Sequence, residues 1–131
     1  MKLAIVYVSG PYTKGGKATA SEMRENYEIA TNHSLALWQI GFGVMNPMGN
    51  THWDLIYKEA GIPHGVSYSQ LILFDLRVIS RLADCVFMIP NWESSKGAKI
   101  EHNLAELEQK PIFYSMAEAQ AFIKEWERST S

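Results

Sequence analysis

The chain carries one cysteine, Cys85, in 131 residues. It therefore has no intrachain disulfide, and a reducing, cytoplasmic setting is the default expectation. Charge of neither sign dominates. Twelve Lys and Arg against fourteen Asp and Glu leave a formal net charge of -2, which offers no general attraction to polymeric nucleic acid or to an anionic membrane surface. Any phosphate must be held locally. No apolar run approaches the roughly 20 residues of a membrane span. The N-terminal run in "MKLAIVYVSGPYTKGG" stops at a turn without a small-residue cleavage pattern, so it reads as a first strand rather than a signal peptide. Metal chemistry also lacks its usual signature: His33, His52, His64 and His102 are scattered, with no i, i+4 pair and no second cysteine beside any of them. No metal or other cofactor is expected.

Familiar catalytic and phosphate motifs are missing too. In "GPYTKGGKA" Ala18 stands where a Walker loop needs Ser or Thr, and the glycine spacing is wrong. Tyr12 occupies the place of the second glycine of a dinucleotide fingerprint. Ser94 and Ser95 lack the flanking glycines of a nucleophile elbow, so helix capping or anion contact is what remains for them.

What is present is an ordinary globular composition, 47% hydrophobic and 20% charged, of a length that suits a single domain over residues 1–131. Apolar runs and helical patterns alternate. Leu3 to Val8 reads as a strand covered on both faces, and Thr19-Ala20-Ser21-Glu22 is a capping box for a helix to about Gly41. "GVMNP" is a short second strand, followed by a long connection, Met48 to Gly65, with one short helix after Thr51. Ser67-Tyr68-Ser69-Gln70 opens a helix to about Asp84, Cys85 to Ile89 is a third strand, and Ser95 to about Gln109 a further helix. Pro111 to Tyr114 is a fourth strand, and Ser115-Met116-Ala117-Glu118 caps the last helix. Right-handed crossovers between such units give an α/β fold: a small doubly wound, Rossmann- or flavodoxin-like parallel sheet of about four to five strands flanked by helices.

Two carboxylates stand out. On a helical wheel at 100° per residue, Tyr68, Leu71, Ile72, Val78, Ile79 and Leu82 fall within about 60° of Asp75. Asp75 thus sits at the centre of an apolar stripe, where an unpaired carboxylate costs several kcal/mol unless hydrogen-bonded or protonated. Arg77 and Arg81 project elsewhere. Such an Asp either anchors the fold through loop amides or does chemistry. On the next helix Ile100, Leu104 and Leu107 mark the core stripe, with Glu101 at its edge among Gly97, Ala98 and Ala105. Glu101 is either a solvated flank or a catalytic group at the mouth of a strand-loop-helix unit, where open parallel sheets keep their ligands.

Strand ends supply complementary groups. Ser9, Gly10, Tyr12 and Lys14 follow the first strand, where glycines let amides approach an anion and a lysine neutralises it. Asn46 ends the second strand, and Asn91 and Trp92 follow the third. The Trp92 ring either stacks on a nucleobase or covers the core.

Taken together, "SGPYT" after the first strand, "GFGVMNP", an Asp in the helix leading to "LADCVFMIP", and "SSKGAKIEHNLAE" followed by "KPIFY" resemble the nucleoside 2-deoxyribosyltransferase-like superfamily, which includes 2'-deoxynucleoside 5'-monophosphate N-glycosidases. The resemblance runs to about Tyr114, and its most specific piece is Ser95-Lys96-Gly97-Ala98-Lys99-Ile100-Glu101, similar to the superfamily's Ser-x-Gly-x-x-x-Glu element. It implies an enzyme acting on the N-glycosidic bond of a nucleoside or nucleoside 5'-monophosphate. Glu101 would be the nucleophile, Asp75 would assist the leaving base, and Tyr12 would orient Glu101 or the sugar. Ser95, with Gly97, would contact a 5'-phosphate, while Asn46 would hydrogen-bond sugar or base. It also implies a homodimer or larger homo-oligomer. Two departures are visible: Pro90-Asn91 stands where the transferases carry Pro-Asp, and Tyr12-Thr13-Lys14-Gly15-Gly16 stands where the nucleotide hydrolases carry Arg-Gly-Gly. A non-catalytic nucleotide-binding or sensor domain on the same fold is the alternative.

Overall fold

In the computed structural model, which describes residues 2–130, four parallel strands form one sheet in the order β2-β1-β3-β4. The strands are β1 Ile5–Ser9, β2 Gly43–Met45, β3 Cys85–Met88 and β4 Ile112–Phe113. Six helices flank them: α1 Ala20–Gln39, α2 Pro47–Asn50, α3 His52–Ala60, α4 Tyr68–Arg81, α5 Lys96–Leu107 and α6 Met116–Thr130. This is the Rossmann- or flavodoxin-like α/β arrangement, with four strands. The ends of the expected domain, Met1 and Ser131, lie outside the described residues.

Local sequence sets the helix starts. Thr19 and Glu22 close a reciprocal capping box on α1, Ser67 accepts from the Gln70 amide on α4, and Ser95 accepts from the Ala98 amide on α5. Each satisfies an amide that the helix itself leaves without a partner. The connection after β2 holds two helices rather than the one expected. Asn46 caps a short first turn with Pro47 at its start, where the missing proline N–H costs nothing; α3 follows and ends at Gly61 in the left-handed region, φ 71°.

The two-residue period of the strands divides the core. Val6, Val8, Cys85 and Phe87 pack with Ala30 and Leu37 of α1 and Ala119 and Ile123 of α6. Tyr7, Val86 and Met88 face the other way, against Val78 and Ile79 of α4 and Ala98 and Ala105 of α5. The buried stripe of α5 is Ala98, Glu101 and Ala105, which corrects the wheel reading: Leu107 is 82% exposed, whereas Glu101 is 5% exposed. Leu82, read as part of the α4 stripe, is the exposed residue that closes that helix. The apolar positions alone gave the wrong angle because the side of α5 nearest the sheet is lined by alanine, which lets the helix approach closely.

The strand order places β1 and β3 side by side at the centre. The chain leaves β1 toward one edge and β3 toward the other, opening a crevice beyond their carboxyl ends, the usual ligand position in open α/β sheets. Gly10 holds this crevice's floor together: a Cβ there would lie 2.9 Å from both Cβ and Cδ1 of Ile89. Gly10→Ala should therefore destabilise the protein by about 1–3 kcal/mol, the usual cost of overpacking. An unchanged urea midpoint would show that the ends of β1 and β3 can separate freely.

Candidate functional site

The centre of the crevice is a buried carboxylate with two hydroxyl donors. Tyr7 Oη donates to Glu101 Oε2 at 2.7 Å, and Ser9 Oγ donates to Oε1 at 2.6 Å. Tyr7 and Ser9 are two residues apart on β1, so both point to the face that α5 covers. Glu101 reaches them because it projects from the second turn of α5, between the buried Ala98 and Ala105. No ion pair among the described residues involves Glu101 or Asp75.

Burial without a cation penalises the anion. Desolvation pushes Glu101 up to about 7; the hydrogen bonds from Ser9 and Tyr7 pull in the opposite direction, and the nearby Asp75 adds to the rise. Asp75 is pushed up to about 6, again by desolvation, with the Tyr7 hydroxyl opposing it from close by. Tyr7 itself is raised well above the ordinary phenol value by its own burial and then by the two carboxylates. Tyr7 therefore remains a proton donor throughout the physiological range. Both acids are thus held toward neutrality, an arrangement suited to acid–base or nucleophilic chemistry at neutral pH.

The cavity above this pair is lined by Gly10, Tyr12, Lys14, Asp75, Ser95, Gly97 and Glu101 from the sequence-derived set, so residues from three separate segments meet there. Ser95 is buried and lines the cavity, and its oxygen accepts from the Ala98 amide at 3.2 Å while its hydroxyl proton has no acceptor among the described residues. Lys14 has a left-handed backbone, φ 51°, and pairs with Glu22. At Gly97 the absence of a side chain matters: a Cβ would come within 2.5 Å of the Tyr68 hydroxyl, which also faces the cavity.

Other expected residues take different parts. Tyr12 lines the cavity, but its hydroxyl is buried without a hydrogen-bond partner among the described residues. Burial, then Asp54, push its pKa up to about 12. Tyr7 and Ser9, not Tyr12, orient Glu101. Ser9 spends its hydroxyl on that carboxylate and is fully buried, so it is a positioning group rather than a ligand contact. Asn46 is absent from the lining and uses its side chain to cap the Met48 amide at 3.1 Å. Asn91 is exposed in a left-handed turn, φ 73°. Trp92 stacks on His102 with centroids 4.3 Å apart, away from the cavity.

Residue-by-residue reading missed Tyr7, Tyr68 and Asp54, all bearing on this site. Tyr7 lay inside an apolar run; the available signal was its two-residue spacing from Ser9, which puts two hydroxyls on one strand face. Asp54 follows β2 in a segment without a distinctive motif, and only the fold brings it to the cavity.

Residues 4–114 match the family described as a domain of unknown function, DUF4406, and the chain belongs to that family. No curated protein and no solved structure matches it.

A pH dependence follows from the two raised carboxyl groups. Each binds its proton more tightly in the folded than in the unfolded chain, so their contribution is fully present below about pH 4 and is lost as pH rises through 6–7. Glu101→Gln should match wild type in unfolding free energy near pH 4 and exceed it near pH 8, by up to roughly 2–3 kcal/mol. A difference that stays flat across that interval would show that Glu101 is not held in the raised state.

Proposed function

We propose that this family member cleaves the N-glycosidic bond of a nucleoside or nucleoside 5'-monophosphate through a glycosyl-enzyme intermediate on Glu101. The supporting observation is the buried, cation-free Glu101 held by Tyr7 and Ser9 beside Asp75, in a cavity at the carboxyl ends of central parallel strands. The resemblance of Ser95-Lys96-Gly97-Ala98-Lys99-Ile100-Glu101 to the active-site element of the nucleoside 2-deoxyribosyltransferase-like superfamily supplies the substrate class.

In this reading the Glu101 carboxylate forms a bond to the anomeric carbon as the carbon–nitrogen bond breaks, and the bonding electrons leave with the base. The proton of the acid pair goes to that base from Asp75. Burial alone favours the shared proton on Glu101 in the empty site. Positive charge developing on the sugar beside Glu101 favours the anion there and leaves the proton on Asp75, the less buried of the two. Water then attacks the glycosyl-enzyme in a hydrolase, or a second base does so in a transferase, and Asp75 takes up the proton released. Two donors fix the nucleophile's direction before substrate arrives, which is the preorganisation such a displacement needs.

Ser95 and the α5 N-terminus give a 5'-phosphate a place to sit, with a free hydroxyl proton and the positive end of the helix dipole. A homodimer or larger assembly belongs to the same proposal. The outward Leu73 and Phe74 of α4 provide apolar surface for such a contact.

Incubation with a mixed panel of nucleosides and nucleoside monophosphates should release free base. Glu101→Gln should remain folded and lose turnover by several orders of magnitude, because covalent catalysis is removed outright. Ser95→Ala should weaken a nucleotide substrate by roughly ten- to a hundredfold and leave a nucleoside nearly unaffected, the scale of a hydrogen bond to a charged group. Base release that persists in folded Glu101→Gln would refute the nucleophile. Nucleotide binding with no base release from the wild-type protein would favour a sensor.

A further inference from the structure

The cavity has a second wall. Asp54, on the first turn of α3, lines it together with Thr51 and the loop after β1. Because β2 and β3 lie on opposite sides of β1, α3 belongs to the β2 side of the crevice while α5 and its Glu101 belong to the β3 side. The Asp54 carboxylate is 14% exposed and accepts from His64 Nε2 at 2.8 Å through Oδ1. The Val66 amide donates to His64 Nδ1 at 3.0 Å. A ring nitrogen that accepts carries no proton, so with Nδ1 accepting, the donor nitrogen of the ring is Nε2, pointing at Asp54. Trp53 stands edge-on to the imidazole at 4.8 Å and helps hold the ring. Both nitrogens of His64 are thereby spent, and the ring is no proton shuttle; it positions a carboxylate. Asp54 Oδ2 has no hydrogen-bond partner among the described residues, and Asp54 lines the cavity beside Tyr12, whose pKa it helps to raise.

We propose that Asp54 reads the base, accepting a hydrogen bond from an exocyclic amino group such as that of cytosine or adenine and rejecting the oxo group of uracil or hypoxanthine. The assignment rests on the glycosidic reading above for its placement: displacement in line from Glu101 sends the leaving base toward the side of the cavity away from α5. A fixed carboxylate oxygen accepts an amino N–H and repels a carbonyl, the same chemistry by which acidic side chains select cytosine's amino group. His64 makes the acceptor directional, because its hydrogen bond to Oδ1 fixes the carboxylate plane and leaves Oδ2 as the oxygen without a protein donor.

The geometry makes Asp54→Asn a reversal rather than a simple loss. His64 Nε2 still donates, so it retains the amide oxygen and turns the amide NH2 toward the cavity, presenting a donor where an acceptor stood. Free bases test this without any turnover. Calorimetry or amide chemical-shift titration of the wild-type protein with cytosine against uracil, and adenine against hypoxanthine, should show the amino base binding at least tenfold more tightly, the scale of a hydrogen bond to a charged group. Asp54→Asn should reverse that order, and His64→Phe should weaken the preference because the carboxylate is no longer held. Equal affinities within each pair, no binding of any of the four, or an Asp54→Asn variant whose order matches wild type would overturn the proposal. An amino-base preference that reverses in Asp54→Asn, in a protein that releases no base from any nucleoside, would uphold base reading and remove the glycosidase. Base release with equal amino and oxo preference would do the converse.

Discussion

The rest of the site depends on keeping the Glu101 carboxylate out of water without a cation. A buried, unpaired anion is among the most costly groups a small domain can hold, and three features make it tolerable here. Two hydroxyls from one face of β1 donate to its two oxygens. The alanines at positions 98 and 105 bring α5 close enough to the sheet for those bonds to form. The carboxyl group relieves the remaining penalty by holding its proton up to about pH 7. The same features hold its titration near neutrality, as the proposed nucleophile requires.

That constraint explains otherwise odd choices in the sequence. A tyrosine sits in the middle of a strand buried from Val6 to Ser9 because its ring packs with Val86 and Met88 while its hydroxyl serves the carboxylate. Gly10 is needed where the ends of β1 and β3 converge under the cavity. Gly97 leaves room for the Tyr68 hydroxyl, whose pKa is itself raised by burial and then by Glu101 and Asp75. Ser95 starts the helix that carries Glu101, so one residue both caps that helix and lines the ligand space. The energetic and functional demands converge on the same few residues, and none of the described residues form a cluster able to hold a metal ion.

The cavity is chemically two-sided. Toward α4 and α5 it offers two carboxyl groups raised by burial; toward α3 it offers a carboxylate held by a histidine. In the reading proposed above, a ligand spanning them meets chemistry on one side and recognition on the other. The division follows from the crossover of the chain at the centre of the sheet, since the segments after β2 and β3 are carried to opposite sides of β1.

Much of this was legible in the amino-acid sequence. Capping residues, apolar runs and turn signals depend on neighbours within a few positions, so the alternation of strands and helices, and the helix starts after Thr19, Ser67 and Ser95, follow from local chemistry alone. The placement of Asp75 within an apolar stripe is equally local, because a helix fixes its own angular relations. The limits were just as physical. A wheel ranks side chains by polarity and cannot know which face of α5 meets the sheet; packing on alanine, not leucine, turned Glu101 inward and Leu107 outward. The bonds to Glu101 join residues 94 and 92 positions apart, and Asp54 reaches the cavity from a segment with no motif of its own. Contacts of that range exist only when the strand order is set. The sequence determined which elements form and where each begins, while the tertiary structure decided which of their polar groups meet, because hydrogen bonds between distant segments depend on sheet order and helix approach rather than on local preference.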